Sequence, residues 1–308
     1  MKRGLMKIVK KFFIVTVVFS FFANIFVNFP FTKALANTAY GQLFTEEIVL
    51  NEDYVQEDAT ILYEVKEKRK ENMKAFRMSD GSLEYYYYGH QIHQKINDET
   101  YEEIDASFKT DNDALTSDAI DYQIKLPKKL SENKKIKFKY QNASLDITYD
   151  GIAKSEAKSI NNIDNSISSV ERLEGKVIYS NIFDGVDLEF LTCSNQAKEN
   201  IILSKYINNF SLSYTITLNS LELIEEEGII YFVSEDKQVI YSINPYFMYD
   251  IEDNLSYEIT TTIKKIKKDE YQIIITPSDE WLKNASYPVV IDPTINYNQN
   301  NLSSYIKM

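Results

Sequence analysis

The sequence predicts a mainly β protein: antiparallel, sandwich-like β units with one short helix, behind an N-terminal signal segment. Three observations carry this. Apolar and polar residues alternate with a period of two, several alternating runs come in pairs joined by turn-forming residues, and the first 36 residues have the layout of an export signal. The alternation is plainest where Leu212, Tyr214, Ile216 and Leu218 interleave with Ser211, Ser213, Thr215 and Thr217. Such a run sets one face on a core and the other in water.

Residues 1–36 read as a signal peptide. Lys2, Arg3, Lys7, Lys10 and Lys11 form a positive front, 12–31 is almost wholly apolar, and Ala34-Leu35-Ala36 supplies the small-x-small pattern, so cleavage is expected after Ala36. The apolar run approaches the roughly 20 residues that span a bilayer. Asn24, Asn28 and Pro30 weaken it as a permanent span, and a retained anchor is the alternative reading. Either way the rest of the chain is exported, to an extracellular or wall-associated place, with membrane contact only through an uncleaved signal segment.

Residues 37–74 read as an N-terminal extension with a short helix over 58–73, where Glu, Lys and Ala are frequent, Leu62, Val65 and Met73 fall near helical spacing, and Asp58 stands as a cap. A first β unit spans 75–150. In it Ile136, Phe138 and Tyr140 alternate with lysines, and Leu145, Ile147 and Tyr149 follow after Gln141-Asn142-Ala143, which predicts a hairpin. The Ser/Asn-rich stretch 151–170 reads as a polar linker. A second β unit spans 171–295, with one hairpin turning at Glu225–Gly228, where glycine supplies positive φ, and another turning at Lys267–Glu270. The Asn-rich stretch 296–308 reads as a frayed tail.

Charge and cysteine usage narrow the function classes. Formal net charge is −12. Removing 1–36 takes away six positive charges (Lys2, Arg3, Lys7, Lys10, Lys11 and Lys33) and no negative one, leaving −18. A chain so acidic repels phosphates, and no nucleic-acid partner is expected. Cys193 is the single cysteine, which excludes an intrachain disulfide. With no histidine near it in sequence, it reads as a small buried hydrophobe rather than a reactive thiol.

The candidates for chemistry are few. His90 and His93 are the two histidines, and in an extended strand residues three apart point to opposite faces, so no metal is expected at them. Asp111, Asp113, Asp118 and Asp121 suggest calcium, but the sixth and twelfth loop positions are Thr116 and Tyr122, not glycine and glutamate; the EF-hand reading fails, and a looser calcium site on an acidic exported chain is the alternative left open. No Gly-x-Ser-x-Gly elbow, Cys–His arrangement or phosphate loop is present. No catalytic residue, metal or cofactor is therefore expected. Tyr85 to Tyr88 form an aromatic run in which alternation exposes two rings, and Tyr86 and Tyr88 are the candidate glycan contacts. Asp187, Lys198 and Glu199 read either as a polar cluster paired across a sheet or as solvated edge charges.

A set of blocks in fixed order carries a resemblance. These are Lys74–Ser82, with its Asp80-Gly81 turn; Gln91-Ile92-His93; Tyr101–Asp105; Val177–Phe190, with its Asp184-Gly185 turn; Ala197–Leu203; Pro245–Asp250; and Trp281–Ile295, with Tyr-Pro-Val-Val-Ile-Asp-Pro-Thr inside it. Together they resemble the N-terminal module of Gram-positive cell-surface proteins that continue into RHS-type repeats or a DNRLRE domain, the wall-associated proteins. Gln94 and Tyr101 depart from the pattern, standing where Tyr and Trp are usual. The resemblance implies export, a β-rich fold and a role at the cell surface. Read against a chain that stops at Met308, it implies a truncated member without the usual repeats. The expected function is a non-enzymatic display scaffold. The alternatives are a binding module for cell-wall glycan or a cell surface and, third, a secreted hydrolase. The expected partners are cell-wall polymers or other surface proteins.

Overall fold

The computed structural model of the chain describes residues 59–119, 122–161 and 173–297. Ala36 and the signal segment lie outside the described residues, as do Asp58, Asp121 and residues 162–170 of the predicted linker.

The protein is mainly β, with antiparallel sheets and, among the described residues, one short α-helix. Strands β1 (Ile61–Glu64), β2 (Met73–Met78) and β3 (Leu83–Tyr87) form a three-stranded sheet, and β4 (His93–Lys95) pairs with β5 (Tyr101–Glu103) in a two-stranded ribbon. Then follow β6 (Lys109–Asp111), β7 (Ala114–Asp118), β8 (Tyr122–Pro127), β9 (Lys129–Leu130), β10 (Ile136–Tyr140), β11 (Ala143–Tyr149) and β12 (Ser155–Asn161). Next come β13 (Gly175–Phe183), β14 (Val186–Thr192), β15 (Gln196–Leu203), β16 (Leu212–Asn219), β17 (Glu222–Glu226), β18 (Ile229–Val233) and β19 (Val239–Ile243). The last elements are β20 (Phe247–Tyr249), β21 (Leu255–Ser256), β22 (Ile259–Lys267), β23 (Glu270–Pro277), α1 (Asp279–Asn284), β24 (Val289–Asp292) and β25 (Ile295–Tyr297).

Two large sheets result. One has eight strands in the order β22-β23-β16-β11-β10-β8-β7-β6. The other has twelve, with β17-β18-β19-β25-β15-β14-β13-β12-β9 as its path and β20, β21 and β24 joined beside it. Their inner faces share one hydrophobic core in which Phe138, Tyr149, Tyr179, Phe190, Tyr214, Phe232 and Tyr241 are almost fully buried. Tyrosine hydroxyls stitch the layers. Tyr122 donates to the Cys193 carbonyl at 2.7 Å, Tyr179 to the Pro127 carbonyl at 2.6 Å, and Tyr149 to Glu199 Oε1 at 2.5 Å. Each contributes a large apolar ring while its one polar atom stays satisfied.

The predicted hairpins form. β10 pairs with β11 across a turn at Gln141, β17 with β18 across Glu227 and Gly228, both at positive φ, and β22 with β23. β16 alternates buried and half-buried residues as its sequence requires.

Other expectations do not survive. The helix expected over 58–73 is not formed by its described residues, 59–73. Ile61–Glu64 is an edge strand on β2, and only Lys66–Lys68 makes a single 3-10 turn. Tertiary pairing outweighs a weak local helix preference there. Among the described residues the one α-helix is α1, where Ser278 Oγ accepts from the Trp281 N–H at 3.4 Å. The boundary between two β units also fails, because β11 from before residue 150 pairs along its length with β16 from beyond 171. Part of the expected linker, Ser155–Asn161, is β12, bonded to β9 and β13. At the far end Asn296 and Tyr297, expected to be frayed, belong to β25 between β15 and β19.

Candidate functional site

The densest assembly of chemically capable side chains sits where the three-stranded sheet meets the two-stranded ribbon. Glu64 ends β1, Arg69 follows the 3-10 turn, Lys74 lies on β2, His93 opens β4 and Glu103 closes β5. Cross-strand register sets His93 directly opposite Glu103, so their side chains share a face. The turn after β1 returns Arg69 to Glu64, where Nε and Nη2 donate to the two carboxylate oxygens at 2.7 and 2.8 Å. This is the bidentate fork for which a guanidinium is shaped. Arg69 Nη2 also reaches Glu103 Oε1 at 3.5 Å, and Lys74 Nζ donates to the same oxygen.

Burial and charge compete at this cluster. Burial alone raises the Glu64 pKa, but the hydrogen bond and charge of Arg69 outweigh it and hold the carboxyl below its usual range. His93 is fully buried, and desolvation lowers its pKa, partly offset by its bond to the backbone at Lys70. Its Nδ1 lies 2.7 Å from the Lys70 carbonyl oxygen. A carbonyl only accepts, so Nδ1 carries the proton and Nε2 the lone pair. A ring nitrogen of His93 and one carboxylate oxygen each of Glu64 and Glu103 lie within 4.8 Å of one another.

The sequence sets His93 beside His90 alone, whereas the structure brings it to two glutamates from other strands. The one local signal for this was Asn97-Asp98 between β4 and β5, a turn that brings Glu103 back beside His93. The contact with Glu64 depends on how the two small sheets meet, which no local pattern encodes.

The remaining candidates scatter. Tyr88 is buried and Tyr86 packs edge-on against Phe76 with ring centroids 5.4 Å apart, so the expected pair Tyr86 and Tyr88 does not present a common open face. The outward ring is Tyr87, 59% exposed. Strand β3 stops at Tyr87, and Tyr88 turns inward beyond the alternation. Asp111 is paired with Lys125 at 2.8 Å, while Asp118 accepts from Gln123 at 2.5 Å. Cys193 is buried, its Sγ 3.2 Å from Asn195 Oδ1.

Asp187, Lys198 and Glu199 do not form one cluster, because adjacent residues on a strand face opposite ways. Asp187 accepts from the Asn181 N–H at 2.7 Å, Lys198 pairs with Asp292 at 3.2 Å, and Glu199 points inward to Tyr149. Burial pushes the Glu199 carboxyl up to about 7, with the Tyr149 hydrogen bond opposing and the charge of Asp292 adding to the rise.

No helix among the described residues is long and apolar enough to cross a membrane. No family model matches the sequence, and no solved structure does either. Relatives do. The chain is 28% identical over 248 residues to tRNA(Glu)-specific nuclease WapA of Bacillus subtilis subsp. natto (strain BEST195), a match that covers 75% of this chain and 10% of the relative. It is 28% identical over 251 residues to tRNA nuclease WapA of Bacillus subtilis (strain 168), with the same shares covered. It is 24% identical over 196 residues to the wall-associated protein of Geobacillus stearothermophilus, covering 61% of this chain and 74% of that protein. The chain thus spans about a tenth of the length of the nucleases it matches.

These names overturn the expectation of a non-enzymatic module, with its glycan-binding alternative, and of a chain without a nucleic-acid partner. Relatives that match three quarters of the sequence are named as enzymes acting on tRNA. The acidic charge misled because it was counted over a stretch that makes up a tenth of those relatives, and it constrains that stretch alone. What the comparisons establish is similarity to wall-associated proteins and to the WapA nucleases, in keeping with a cell-wall or extracellular location.

Proposed function

We propose that this chain forms part of an exported, wall-associated nuclease that acts on tRNA. The observation that carries the reading is the match to tRNA nucleases over 75% of the chain. The similarity to a wall-associated protein and the signal pattern ending at Ala36 support export. The blocks Val177–Phe190 and Trp281–Ile295 support a finer reading, in which this stretch is the module that precedes RHS-type repeats or a DNRLRE domain. Cleavage is not assigned to the cluster around His93, whose imidazole is sealed from any substrate in this conformation.

The test compares cells that encode the chain with cells from which its whole reading frame has been deleted. Wall extracts from the first are expected to cleave purified tRNA, and extracts from the second to leave it intact. An epitope on the chain should be recovered with the wall fraction. Equal tRNA cleavage in both extracts, or an epitope confined to the cytoplasm, would overturn the reading.

A further inference from the structure

We propose that Glu64, His93 and Glu103 form a binding site for a divalent transition metal of the Zn²⁺ class, with the Lys74 ammonium as its competitor. The inference is independent of the nuclease reading.

The first ground is His93 Nε2, a fully buried nitrogen with no hydrogen-bond partner. An unsatisfied buried polar atom is costly, and a native structure retains one only for a reason. The second is its orientation. Nδ1 is committed to the Lys70 carbonyl, the arrangement by which metal-binding histidines fix their tautomer and aim the other nitrogen at the ion. The third is the donor set. One imidazole and two carboxylates suit Zn²⁺ and its neighbours, and leave a fourth position for water. With bonds of about 2.0–2.2 Å, tetrahedral ligand atoms stand roughly 3.4 Å apart. A ring nitrogen of His93 and one oxygen of each glutamate lie within 4.8 Å of one another, so a modest side-chain closure around Nε2 assembles the site.

The charges fit the same picture. Arg69 holds both oxygens of Glu64, yet an ionised carboxylate has about four lone-pair positions, and hydrogen-bonded carboxylates are usual among metal ligands. Glu103 is held by Lys74, whose ammonium caps a flexible stem. An arriving ion displaces that ammonium toward water and takes its place against the carboxylate. Because β1, β4 and β5 each supply one ligand, the ion would also pin the three-stranded sheet to the two-stranded ribbon.

The experiment uses the full purified chain, stripped with EDTA, titrated with Zn²⁺ by calorimetry and with Co²⁺ by visible absorption. The expected result is saturable one-site binding with Co²⁺ d–d bands, and a melting temperature that Zn²⁺ raises and EDTA restores. Lys74→Met removes the competitor and should tighten binding roughly tenfold. His93→Gln should weaken it by about 100-fold or more, since even losing a supporting contact costs 10- to 100-fold. No heat and no Co²⁺ bands in both wild type and Lys74→Met would overturn the proposal, whatever His93→Gln does to folding. Binding of equal strength in wild type and in Glu103→Gln would overturn it too, because the ion would then sit elsewhere.

Discussion

Two carboxylates in this molecule are withdrawn from water in opposite ways. Glu199, inside the two-sheet body, faces one neutral donor, Tyr149, and its carboxyl is pushed up to about 7. Glu64, at the junction of the small N-terminal sheets, faces the guanidinium of Arg69, and its carboxyl is held below the usual range. The body tolerates an acid by letting it keep its proton. The junction tolerates one by pairing its charge. The body has a continuous apolar core to supply cohesion, whereas the three-stranded sheet buries a smaller apolar set outside that core, Met73, Ala75, Phe76 and Met78 on β2, leaves Leu62, Tyr63 and Tyr87 in water, and adds the ion pairs of the junction.

The largest effect should come from breaking the body's core. Phe190 is fully buried on β14 and packs edge-on against Tyr179 with centroids 6.4 Å apart. Phe190→Ala should cost about 3–5 kcal/mol in chemical denaturation. Hydrogen exchange should then speed up across both large sheets together, since β11 and β16 join the two halves of the chain. Acceleration confined to residues beyond 171 would mean that the halves fold separately.

Glu199 sharpens the contrast next, through pH. Below pH 4.5, the ordinary glutamate value, the carboxyl is protonated folded or unfolded and adds no pH dependence. As pH rises from 4.5 to about 7, the unfolded chain releases its proton first and stability falls; above 7 the loss is constant. Glu199→Gln keeps an oxygen to accept from Tyr149 and removes that loss. It should stabilise the protein at pH 8 by something on the order of 2–3 kcal/mol and leave it unchanged at pH 4. Equal stability of the two proteins at both pH values would show that Glu199 is ionised in place.

At the junction the sign reverses. Arg69→Ala strips two charge-assisted hydrogen bonds from a half-buried carboxylate and should cost about 1.5–3 kcal/mol. Exchange should quicken in β1 to β5 and not in β13 to β15. Arg69→Lys should recover only part of the loss, because an ammonium cannot span both oxygens. Complete rescue by lysine would reduce the fork to a simple charge contact.

The body was far more legible in the sequence than the junction, for a physical reason. Strands such as β16 separate a buried face from a wet one every second residue, and hairpin turns such as Glu227-Gly228 name their own neighbours. Pairings between distant strands have no such local mark, which is why β11 beside β16 crossed an expected boundary. The junction is worse still. Its five side chains come from β1, the turn after it, β2, β4 and β5, and each alone reads as an ordinary surface charge or a stray histidine. Lys66–Lys68 and its flanks read as helix because Glu and Lys favour one, and only the pairing of Ile61–Glu64 with β2 reverses that preference. The expected absence of an enzyme rested on residues too, but enzymatic relatives nine-tenths of whose length lies beyond the match were out of reach of any motif search.

The smallest effect tests whether the N-terminal sheet's outer face is as open as it looks. Tyr87 is 59% exposed, beside Tyr88, which is buried. An exposed side chain away from special features contributes within about 0.5 kcal/mol, so Tyr87→Ser should leave the denaturation midpoint almost unmoved. The same substitution tests the comparison between the two regions. If the small sheet is held by its ion-pair junction, removing an outward ring costs nothing, and Arg69→Ala remains the change that loosens it. A loss above roughly 1 kcal/mol would place Tyr87 against another part of the chain. Apolar contact, not paired charge, would then be what secures this end of the molecule.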